Sequence, residues 1–180
     1  MVEYVALLRG INVGGNKKVN MADLRRACAS WGFQNVRTVL NTGNIIFESP
    51  MTDPGGLAST IEDKIETDFS LKVSILLRSL QEIQMLVDAA PFAGVDVTPQ
   101  TRLYVTFLPG KPNSQLEIPY ESPEKDFRIL QVSDSEVCSV LIVTPNGGTT
   151  KAMDLLEKEF GKKVTTRNWN TVIKIAQTLV

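Results

Sequence analysis

The chain has 180 residues, 43% of them hydrophobic and 22% charged, with a formal net charge of −1. That balance suits one large globular domain or two small ones sharing a core, excludes a disordered chain, and leaves no overall positive field to draw the protein onto nucleic acid. Histidine is absent altogether, which removes Ser-His and Cys-His catalytic arrangements, the usual catalytic zinc sites and haem ligation through imidazole.

Glu3–Leu8 reads as a first strand. Its apolar run Val5–Leu8 is too short for a signal-peptide core or a membrane span, so a cytoplasmic location is expected. Residues 9–18, Arg-Gly-Ile-Asn-Val-Gly-Gly-Asn-Lys-Lys, form a glycine-spaced polar loop. Asn20 can cap a helix, with Asp23 reaching back as a short capping-box partner. Met21, Leu24, Cys28 and Trp31 share one face of that helix, and Gly32 stands where a left-handed C-terminal cap is wanted. Val36–Leu40 and Ile45–Glu48 read as strands joined by a tight turn at Thr42-Gly43-Asn44. Asp53-Pro54 opens a second helix, with Leu57, Ile61, Ile65 and Phe69 at spacings of four. Val73–Leu77 closes a β-α-β-β-α-β series.

That order is the ferredoxin-like split βαβ pattern, an antiparallel sheet of strand order 4-1-3-2 with both helices on one face. Ser79-Leu-Gln-Glu82 is a capping box opening a connecting helix that ends before Pro91. The second half partly repeats the first. Arg102–Leu108 is a strand, and an irregular proline-interrupted stretch to Lys125 replaces the first helix. Phe127–Val132 and Val137–Val143 make a hairpin. Thr149 or Thr150 caps a helix closed by Gly161, Lys163–Thr166 is a short strand, and a final helix runs from Asn168 to Val180. The expected fold is therefore α+β: a ferredoxin-like subdomain over 1–78, a connecting helix and linker over 79–98, a degenerate second ferredoxin-like subdomain over 99–167, and a C-terminal helix over 168–180.

The topology has a functional consequence. The first two strands point the same way, so the loop 9–18 and the turn 42–44 should meet at one end of the sheet. The loop has the Gly-x4-Gly spacing of a P-loop at Gly10 and Gly15, but Asn16 precedes Lys17, and Lys18-Val19 follow where the magnesium-binding Ser or Thr would stand. No Gly-x-Gly pair matches a dinucleotide fingerprint. What remains is a loop suited to an anion. Amides at Gly14 and Gly15 would face anionic oxygens, Arg9 would clamp them, Lys17 would add charge, and Asn12 and Asn44 would orient the rest. Near the end, Arg167 and Asn170 flank a helix start that Asn168 would cap, a place that also favours anions. The candidate ligand site is thus Arg9, Asn12, Gly14, Gly15, Asn16, Lys17, Thr42, Gly43 and Asn44, with Arg167, Asn168 and Asn170. No metal or cofactor signature accompanies it. Lys17 and Asp23 are the nearest proton-transfer candidates, and whether a reaction occurs is left open. Cys28 and Cys138 read as buried small hydrophobes.

The opening Ala6-Leu-Leu-Arg-Gly-Ile-Asn-Val-Gly-Gly15, the Thr42-Gly43-Asn44 turn and Thr166-Arg-Asn-Trp-Asn-Thr-Val172 together closely resemble a widespread bacterial family known as a domain of unknown function, number sixteen-ninety-seven. Its turn usually reads Ser-Gly-Asn, so Thr42 keeps the hydroxyl. The resemblance implies an α+β fold and supplies no reaction, substrate or catalytic residue. Two alternatives stand beside the small anionic ligand. Ferredoxin-like sheets also host RNA-binding modules, with Tyr4 and Phe47 as stacking aromatics, although the net charge speaks against nucleic acid. A regulatory or assembly module, monomer or dimer, could pair through the sticky strand Ile45-Ile46-Phe47.

Overall fold

The computed structural model describes residues 1–15, 17–145 and 148–178. The chain forms two compact units, one of Met1–Leu86 with the segment from Ile173, the other of Val87–Val172.

The first unit contains β1 (Val2–Leu8), α1 (Met21–Ser30), β2 (Gln34–Thr38), β3 (Asn44–Ser49), α2 (Pro54–Phe69), β4 (Ile75–Ser79) and the start of α3 (Leu80–Asp88). Its sheet runs β2-β3-β1-β4, all pairs antiparallel, which is the ferredoxin-like order. Alternation fixes the faces. Tyr4, Ala6, Leu8, Ile45, Phe47 and Leu77 turn toward Leu24 and Cys28 of α1 and toward Leu57, Ile61 and Ile65 of α2. Val5, Leu7 and Ile46, of opposite parity, are buried as well. On their side Arg37 pairs with Glu3 and donates to the Thr178 carbonyl at 2.9 Å. Asn20 caps α1, accepting from Ala22 N and Asp23 N, whereas the Asp23 carboxylate pairs with Arg26 rather than returning to the cap. Asp53 caps α2 through Gly55 N and Gly56 N. The Ser79–Glu82 capping box is formed, with Ser79 N donating to Glu82 Oε2 at 2.7 Å and Glu82 N to Ser79 Oγ at 3.2 Å. Glu62 on α2 accepts from Ile75 N at 2.7 Å and ties helix to sheet.

The second unit contains β5 (Thr101–Phe107), β6 (Tyr120–Glu121), β7 (Phe127–Val132), β8 (Glu136–Ile142), α4 (Thr149–Phe160), β9 (Thr165–Asn168) and the start of α5 (Trp169–Ala176). Its sheet order is β6-β7-β8-β5-β9. Without the two-residue β6, this is the order of the first sheet, so the unit is a ferredoxin-like fold whose first helix has given way to residues 108–119. Leu108, Phe127, Ile129, Val137 and Leu141 pack with Ala152 and Leu156 of α4.

Several boundaries move from their expected places. α4 is capped by Gly148 without a side-chain bond, not by Thr149 or Thr150, because both threonines are already helical. The last strand extends through Asn168, which leaves α5 starting at Trp169 and ending at Ala176. Leu179 and Val180, expected in that helix, lie outside the described residues. Both cysteines are buried and free. Burial pushes the Cys28 thiol up to about 12 and the Cys138 thiol to about 11, so both stay protonated at neutral pH.

Candidate functional site

Parallel β1 and β2 deliver their following loops to one end of the first sheet, and the two loops touch. Leu8 N donates to Gly43 O at 2.9 Å, and Asn12 Nδ2 donates to Asn41 O at 2.6 Å. Asn12 also closes its own loop. Its Oδ1 accepts from Val19 N at 2.8 Å, its Nδ2 donates to Val19 O at 3.0 Å, and its backbone N–H reaches Lys17 O at 3.2 Å. The loop reverses through a run of positive φ values at Asn12, Gly14, Gly15 and Lys17. Asn16, also assigned to the site from sequence, lies outside the described residues.

The second loop is longer than the expected tight turn. It spans residues 39–43, because Asn44 pairs with Leu7 and begins β3. Asn44 is fully buried, and its amide donates to Val39 O at 2.9 Å and to Thr42 Oγ1 at 3.2 Å. Asn12 and Asn44 therefore direct amide hydrogens at the loops' own carbonyls and hydroxyl, and so fix the wall of the site. Gly43 has φ +80°, and a Cβ there would sit 2.9 Å from Leu8 Cβ and 3.1 Å from Ile11 Cβ. Only glycine allows this approach.

Where the loops meet α1, an open cavity of about 630 Å³ is lined by Asn12, Gly15, Lys18, Val19, Met21 and Asn41 among others. Residues 4–22 carry Arg9, Lys17 and Lys18 and no carboxylate, and residues 38–47 carry no charge. Lys17 and Lys18 are exposed, with no ion pair among the described residues. Around Gly14 and Gly15 the space is open: apart from their chain neighbours, no described residue comes within 4 Å of a notional Cβ. Arg9 is partly buried at the start of the loop, its backbone N–H held by Ser74 O at 2.9 Å. Since Asn20 already accepts from the first-turn amides of α1, the positive charge of this corner comes from its lysines.

Asn41, Val19 and Met21 line the cavity although the motif reading passes over them. Only the position of Asn41, directly before Thr42-Gly43-Asn44, hints at it.

Arg167, Asn168 and Asn170 belong to the other unit. Arg167 stands on β9 opposite Val105 of β5, 8% exposed, donating to Thr165 Oγ1 at 2.9 Å and Thr166 O at 3.1 Å. Burial pulls its guanidinium down to about 10, still a cation at neutral pH. Asn168 and Asn170 are exposed, and between them Trp169 packs edge-on to Phe92, ring centroids 5.1 Å apart.

Neither alternative finds its expected surface. Tyr4 and Phe47 are 4% and 1% exposed and point into the helical layer, so they present no face on which bases could stack. Ile45, Ile46 and Phe47 lie in β3, an interior strand paired on both sides, rather than on a free edge. No helix among the described residues is long and apolar enough to cross a membrane, and among them no group of three or more His, Cys, Asp or Glu is placed to hold a metal ion.

Comparison with curated proteins finds no match. Among solved structures, the chain is similar to a conserved bacterial protein from Streptococcus pneumoniae, with a TM-score of 0.71 and 24% sequence identity over 99% of each chain. At that identity the likeness concerns the fold. Residues 1–137, which hold both converging loops and all of the first sheet, match the family described as protein of unknown function DUF1697, and the chain belongs to that family.

Proposed function

We propose that the corner built by residues 9–15, 17–22 and 39–44 binds a small anionic ligand of phosphate or nucleotide type. The observation that carries this reading is the juncture itself: two loops that bear the exposed Lys17 and Lys18 and no carboxylate, locked together around a cavity with Lys18 in its wall. Lys17 and Lys18 make no ion pair among the described residues, so an anion can gain charge-assisted hydrogen bonds from them. The open space over Gly14 and Gly15 lets anionic oxygens approach the backbone. Thr42 and Gly43 act from behind, holding the wall, while Lys18 in the cavity wall and the adjacent, exposed Lys17 would supply the charge that meets the ligand. In the second unit the exposed Asn168 and Asn170, with Arg167 buried beside them in sequence, are a candidate anion contact.

The test is thermal denaturation of the protein with a panel of phosphorylated metabolites, alongside Lys18→Ala and the Lys17→Ala/Lys18→Ala pair. A ligand at about 100 times its Kd should stabilise the wild type by about 2.7 kcal/mol. The double variant should lose most of that shift at the same ligand concentration. Equal shifts in wild type and double variant would remove this corner from consideration, as would a panel that shifts neither.

A further inference from the structure

The same cavity is too large and too varied for a bare anion. We propose that its ligand is a nucleoside phosphate, with the phosphate at the lysine end and the base against Asn41, Val19 and Met21; the inference rests on the anion-binding reading and narrows it. The cleft is open to solvent, and its volume of about 630 Å³ falls within the about 300–1,000 Å³ of sites that take organic ligands. Past Lys18 the lining turns neutral: Val19 and Met21, both partly buried and also packed on the core, and amides. A methionine and a branched aliphatic chain make good contacts with a flat ring.

Amides offer a donor and an acceptor side by side, which is what the edge of a base presents. Of the three lining asparagines, Asn12 is committed to Val19 and Asn41 O, and Asn20 to Ala22 N and Asp23 N. The Asn41 side chain alone has no partner among the described residues, and it is exposed. A sugar phosphate would ask instead for strong acceptors for its many hydroxyl donors, and the lining contains no carboxylate. Two further side chains suit a ring. Val13 and Leu40 are 59% and 46% exposed, and each is the chain neighbour of a residue in the Asn12–Asn41 hydrogen bond that joins the loops.

Isothermal titration with four probes decides the matter: adenosine 5′-monophosphate, glucose 6-phosphate, inorganic phosphate and adenosine. The nucleotide should bind at least about tenfold more tightly than the other three. Asn41→Ala should weaken the nucleotide by about tenfold and leave inorganic phosphate unchanged, whereas Lys18→Ala should weaken every phosphorylated probe. If glucose 6-phosphate or inorganic phosphate binds as tightly as the nucleotide, or Asn41→Ala has no effect on the nucleotide, the inference falls and the anion site stands. If no phosphorylated probe binds, both fall. Unchanged melting of the free variants shows that the altered binding does not arise from misfolding.

Discussion

A single side chain can look like a ligand contact in sequence and act as a brace in space. Asn12 and Asn44 stand in polar glycine-rich stretches, as a binding residue would, yet their amides are spent on Val19, Asn41, Val39 and Thr42. Residue type could not separate those roles, because the amide that suits a ligand also suits a backbone carbonyl. Gly43 was legible as a turn residue but not as a contact point, since its neighbours Leu8 and Ile11 lie more than thirty positions earlier. Both neighbours are wholly buried and cannot yield. Gly43→Ala should therefore destabilise the protein by about 2–4 kcal/mol, from left-handed strain together with overpacking. Gly14→Ala, at φ +61° in open space, should cost only about 1 kcal/mol, from conformation alone. Urea denaturation of the two variants side by side checks the contrast; equal losses would mean that the close approach at Gly43 carries no weight.

At the level of helices and strands, the most readable signals were the N-terminal caps. Asn20, Asp53 and the Ser79–Glu82 pair all cap as their side chains suggest, because a cap is a local bargain struck within four residues. The cap of α4 escaped the same logic: Gly148 offers no side chain, and the helix takes in both threonines. The end of β9 escaped as well, since its length is set by pairing with β5 across sixty residues rather than by its own composition. α2 depends on its cap more than most helices do. Gly55 and Gly56 occupy its first turn, where each carries a propensity deficit. Asp53→Ala should lower stability by about 1–2 kcal/mol, while Asp53→Asn, which keeps an acceptor oxygen, should recover most of it. Chemical denaturation of both variants is the check, and an Asn variant no better than Ala would argue against the cap.

For the whole molecule, the split βαβ order of the first sheet was readable because its alternation, caps and crossover handedness agree. The second sheet was readable only in outline. Its β6 is two residues long and depends on Ile129 and Arg128 for its pairing, and no periodicity can announce so short a strand. Nor could the sequence assign the final segment. Ile175 and Ala176 are 0% and 3% exposed and belong with residues 1–86, where Arg37 also reaches Thr178 O. Ile175→Ala should cost about 2–4 kcal/mol by leaving a cavity, whereas Lys174→Ala, on the exposed side of α5, should change stability by less than about 0.5 kcal/mol. Thermal and urea unfolding of both variants tests the placement; a silent Ile175→Ala would contradict it.

That return of the chain to its first unit bears on how the protein is made. Synthesis proceeds at about 5–20 residues per second and generally lets the leading part of a polypeptide settle first. Here the leading part must wait. The stretch Val87–Val172 is translated before Ile173 is added, so the first unit receives its last component only after every residue of the second has been joined.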